Sequence, residues 1–71
     1  MYLDSVVVSG MHCQHCVASV TEEIEDIHGV RAVAVDLTSG RVEVTSDYPI
    51  SAATLADAVR TAGFRLAAVA G

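Results

Sequence analysis

The chain has 71 residues, 52% hydrophobic and 18% charged, with four Arg, no Lys, nine Asp or Glu and a net charge of −5. That length makes one small domain, residues 1–71, with a thin core and no room for a deep substrate cavity, so function is expected on a loop or a flat face. Arg31, Arg41, Arg60 and Arg65 are scattered along an acidic chain, which argues against nucleic acid, and no apolar run nears the roughly 18 residues of a membrane span.

Leu3 to Ser9 carries Val6-Val7-Val8, a β-branched run that predicts a strand stopping at Gly10. Met11-His12-Cys13-Gln14-His15 has no period of its own. From Cys16 onward Val17, Val20, Ile24 and Ile27 fall at i, i+3, i+7 and i+10, the stripe of an amphipathic helix closed by His28-Gly29. Val33, Val35 and Leu37, then Val42 and Val44, alternate with small or polar residues as two strands. Thr38-Ser39-Gly40 joins them in a hairpin. Asp47-Tyr48-Pro49 breaks the alternation. Ser51 is then an N-cap, Ile50 can staple onto Leu55, and Ala52, Leu55, Val59 and Ala62 predict a second helix ended by Gly63. Phe64 to Val69 reads as the last strand. The order βαββαβ predicts an α+β, ferredoxin-like sandwich: a four-stranded antiparallel sheet with both helices on one face.

The chemistry lies in Gly10-Met11-His12-Cys13-Gln14-His15-Cys16-Val17. Met1-Tyr2-Leu3-Asp4 lacks the basic and apolar segments of a secretory signal, so the expected location is the cytoplasm, where thiols stay reduced. Two cysteines separated by two residues are then a metal or redox site, not a disulfide framework. At a loop-to-helix junction both sulfurs can aim at one point. The positive helix N-terminus favours thiolate over thiol there. Thiolates select soft ions such as Cu(I), or Zn(II) where further ligands complete a tetrahedron. A thiol–disulfide oxidoreductase with Cys13 as nucleophile is the alternative from another class. Thioredoxin-like enzymes also set CxxC after a strand, but on a longer chain and with an aromatic before the first Cys, where Met11 and His12 stand here.

Gly10-Met11-x-Cys13-x-x-Cys16 within βαββαβ order resembles the heavy-metal-associated domain family, from the first strand to Gly63-Phe64. That family comprises small copper chaperones and the N-terminal metal-binding domains of copper-transporting P-type ATPases. The resemblance implies a carrier without catalytic turnover. Cu(I) would sit between Cys13 and Cys16 in near-linear coordination and pass by thiolate exchange to a copper-transporting ATPase, or arrive from a chaperone if this chain is the ATPase domain. A freestanding chaperone is the first reading, because the sequence starts at Met1 and stops soon after the last strand. Phe64 favours the ATPase domain. A metal-linked homodimer is compatible with two ligands per chain.

Other positions are weighed against plainer roles. Met11 is expected to pack in the core and tether the loop, as a flexible gap-filler, instead of ligating. Gly10 and Phe64 would support the same loop, Phe64 also shielding it from water. His12 and His15 are auxiliary-ligand candidates whose plainer role is a solvated loop residue; either one as a ligand would strengthen Zn(II) binding. Glu22, Glu23 and Asp26 lie on the exposed part of the first helix, where a solvated face competes with docking to a basic partner surface. His28 is assigned nothing.

Overall fold

The structure, a computed structural model, describes residues 1–69. Its elements are β1 (Tyr2–Ser9), α1 (Gln14–Glu25), β2 (Val30–Asp36), β3 (Arg41–Ser46), α2 (Ala52–Thr61) and β4 (Arg65–Val69). The strands form one sheet in the order β2-β3-β1-β4, every neighbouring pair antiparallel, with β1 and β3 central. This is the ferredoxin-like arrangement expected from the order of elements.

Alternation along the central strands builds the core. Val6 pairs with Val42 across β1 and β3, and Val8 and Val44 share their face two residues away. Those four valines meet Val20 and Ile24 of α1 and Leu55, Ala58 and Val59 of α2 in one buried cluster. Full burial of a Val, Leu or Ile side chain is worth about 1.5–3 kcal/mol over exposure, so this cluster supplies the main drive for folding. The outer strand β2 presents Val33 and Val35 to the same layer, half-buried.

Helix boundaries differ from the expected ones for local reasons. α1 starts at Gln14 with Cys13 as its N-cap in extended backbone, φ −152° and ψ 172°, and no side-chain cap. It ends at Glu25, capped by Asp26, so Ile27 packs on the core from beyond the helix and His28-Gly29 belong to the turn into β2. In α2, Ser51 accepts the N–H of Thr54 at 3.1 Å, as an N-cap should. Ala52, at the first helical position, is exposed; Ala58, three residues after Leu55, takes its place in the buried stripe.

The end of α2 reassigns Phe64. Gly63 has φ 94°, its N–H bonds to the carbonyl of Arg60 at 2.9 Å, and the N–H of Phe64 bonds to the carbonyl of Val59 at 3.0 Å. The pair of bonds is a Schellman motif, which needs the left-handed conformation that glycine adopts without strain. Phe64 is thereby tied to the helix, and β4 begins one residue later than expected, at Arg65. Ser9 lies opposite Arg65 in the sheet register, so the loop after β1 and the turn after α2 meet at one pole of the domain.

Candidate metal centre

The loop at that pole is shaped by an alternation of buried and exposed residues. Gly10 has φ 93°, and a Cβ there would stand 3.3 Å from Cδ1 of Phe64. Any other residue would be both strained and pressed on the Phe64 ring. Met11 turns inward and is only 7% exposed, a member of the core cluster. Next, the chain returns to the surface, leaving His12, Cys13, Gln14 and His15 exposed. Phe64 is half-buried, packed on the core and over Gly10.

Cys13, at the N-cap, and Cys16, in the first turn of α1, bring their sulfurs to 3.3 Å from each other. Neither is in a disulfide. Cys13 is exposed, whereas Cys16 is half-buried against the core. The backbone N–H of His12 is the largest influence holding the Cys16 thiol below its usual pKa. A hydrogen bond from the Cys13 thiol adds to it, as do the N–H groups of Cys13 and Cys16, and partial burial opposes. These are amides of the loop and of the helix start that follows it, turned on a sulfur. In apo-protein, thiolate absorbance in the ultraviolet should therefore begin with a step below the usual thiol range on raising pH. Cys16→Ser should remove the early step. A single transition at the usual thiol range would contradict the arrangement.

His12 and His15 flank the pair but do not complete it. Among the described residues no group of three or more His, Cys, Asp or Glu side chains converges to hold a metal ion. The donors that the fold brings together are the two sulfurs. Glu22 is exposed and Glu23 half-buried on the second half of α1, and Asp26, its C-cap, is exposed, all away from the cysteine-bearing turn. His28 stacks on Tyr48, ring centroids 5.6 Å apart, in the turns at the opposite pole. One grouping escaped the linear reading. Arg60 and Arg65, counted as scattered cations, line one concavity together with Phe64. The available signal was their placement on either side of the helix-ending Gly63.

The pattern of the heavy-metal-associated domain matches residues 5–65, nearly the whole chain. The chain belongs to the heavy-metal-associated domain family. Within that family it is 41% identical over 61 residues to the copper chaperone CopZ of Bacillus subtilis (strain 168), covering 84% of this chain and 88% of that protein. The N-terminal domain of PacS from Synechocystis PCC6803 superposes with a TM-score of 0.86 at 25% identity, covering 100% of both chains. A copper-binding domain from HMA7, a P-type ATPase, superposes with a TM-score of 0.84 at 27% identity, again over 100% of both.

Proposed function

We propose that this heavy-metal-associated domain is a cytoplasmic Cu(I) carrier that holds the ion between Cys13 and Cys16 and passes it to a copper-transporting P-type ATPase. The observation that carries the reading is two free sulfurs, 3.3 Å apart, on an exposed helix-start loop with no third donor among the described residues. Soft thiolates suit Cu(I), which accepts low coordination, and suit poorly a closed Zn(II) site with four ligands. The 41% identical relative is named a copper chaperone, which supports the same cargo. The likeness to a P-type ATPase's copper-binding domain supports the second reading, in which this chain is such an N-terminal domain and a chaperone is its partner.

The geometry supports transfer as well as binding. A two-sulfur site leaves the ion open on its solvent side, where a partner's thiolate can bond before a Cys13 or Cys16 bond breaks. The ion is never free and its oxidation state does not change. Met11 anchors the loop to the core while Gly10 and Phe64 fix its base, so the sulfurs are presented on a rigid support. Glu22, Glu23 and Asp26 form an acidic flank for a basic partner surface, which acts chiefly on encounter rate and partner choice.

The test is anaerobic Cu(I) titration followed by X-ray absorption. A first shell of sulfur alone, with uptake retained against bicinchoninate, is expected. Nitrogen in that shell would assign His12 or His15 as a ligand and overturn the two-thiolate site. No uptake would overturn the function.

A further inference from the structure

Cys13 and Cys16 stand closer together than a linear bridge would set them. Two bonds of about 2.3 Å, the length of a metal–thiolate bond, span about 4.6 Å in line, about 3.8 Å at the tetrahedral angle and about 3.3 Å at a right angle. The sulfurs are 3.3 Å apart. Local backbone sets that spacing. Cys13 is the N-cap and its carbonyl accepts the N–H of Val17 at 3.2 Å, so Cys16, three residues on, lies on the same side of the first turn. Met11, 7% exposed, anchors the loop before the pair, and Cys16 packs against the core. In-line coordination would draw the exposed Cys13 sulfur outward, whereas a right-angled centre fits the pair as it stands.

The site offers two donors. Among the described residues no group of three or more His, Cys, Asp or Glu converges there. A right-angled centre that needs three bonds must therefore bring its third substituent with it. His12, Cys13, Gln14 and His15 are all exposed, which leaves that substituent open space on the solvent side. Trivalent arsenic meets each condition. It is a soft centre of the kind that thiolates select. Its lone pair makes it pyramidal, with bonds close to right angles. Its mono-organic acids, R–As(OH)2, carry one carbon group that thiols do not displace.

We propose that the metal-free cysteine pair captures monosubstituted trivalent arsenicals, R–As(OH)2, as a cyclic dithioarsenite that bridges Cys13 and Cys16. Two As–S bonds form and two As–O bonds break. Each thiol proton leaves with one hydroxyl as water, and arsenic stays trivalent. Once the first sulfur is bound, the second bond forms within the molecule, at an effective concentration set by the 3.3 Å spacing. Inorganic arsenite has a third hydroxyl to exchange, and the chain's two cysteines leave no thiol to take it, so it is held less well. The proposal needs only two reduced thiols and is therefore independent of the Cu(I) reading.

Reduced apo-protein is titrated anaerobically with phenylarsine oxide, which hydrates to the acid whose R is phenyl. Electrospray mass spectrometry should show one adduct per chain, heavier by one phenylarsenic group less two hydrogens, with both thiols lost to dithionitrobenzoate. Arsenic-edge X-ray absorption should show two sulfurs and one carbon. C13S and C16S should each bind about 100-fold more weakly, since each loses the ring closure. An equal concentration of inorganic arsenite should leave the adduct in place. The same titration in guanidinium chloride reads the part played by the fold: unfolding should weaken binding about tenfold, because the spacing is no longer preorganised. Equal affinity folded and unfolded, an adduct with one sulfur or three, displacement by equal arsenite, or wild-type binding in either serine variant would each overturn the proposal.

Discussion

Cys13→Ser and Cys16→Ser are each expected to lower Cu(I) affinity by more than about 100-fold, since even outer-shell partners of metal ligands are worth about 10–100-fold. The sulfurs stand 3.3 Å apart and no third donor is at hand among the described residues, so a lost thiolate has no substitute in the chain. Anaerobic competition against bicinchoninate measures the loss. The two variants should separate in stability. Cys13 is exposed at the N-cap, where Ser is a better cap than Cys, so its replacement should leave the fold unharmed. Cys16 packs half-buried on the core, and a hydroxyl there should cost about 1 kcal/mol through imperfect solvation. Either variant retaining wild-type affinity would sink the two-thiolate site.

Ile24→Ala is expected to destabilise the apo-protein by about 2–5 kcal/mol. Ile24 is 0% exposed and sits where α1 meets the valines of β1 and β3 and the inner face of α2. Removing its outer carbons leaves a cavity walled by two helices and a sheet that close only in part. A small domain has total stability near the low end of about 5–15 kcal/mol, so this single change takes a large share of it. Thermal melting by circular dichroism should show a midpoint lowered by about 8–40 °C, at about 4–8 °C per kcal/mol for a domain of this size. The measurement belongs on apo-protein, because bound metal adds its own stabilisation by mass action. A loss below about 1 kcal/mol would mean that the buried cluster is not the core.

Charge is where the linear reading needed correction. Net charge −5 suggests one partner of opposite sign, and Glu22, Glu23 and Asp26 fit that expectation. The folded chain has two electrostatic faces, though. Acidic groups follow the second half of α1, while Arg60 and Arg65 share a groove beside the Phe64 ring. A net charge sums over both and hides the difference.

The order of elements, the inward valines, the Ser51 cap and the CxxC pair were all legible in the sequence. They are written in short-range terms: residue periods of two or 3.6, cap residues, glycine at helix ends, and thiols two residues apart. The start of α1 was not legible, because Cys13 makes no side-chain cap and so carries no capping signal. Nor was the first residue of the last strand, since the N–H of Phe64 is claimed by the end of α2. What tertiary structure alone decided are contacts between residues far apart in the chain. Phe64 comes to lie over Gly10, and Arg60 and Arg65 come to line one recess. Local periodicity states which face of an element is apolar. Only the packing of α2 and β4 against β1 determines which side chains then become neighbours of the metal loop.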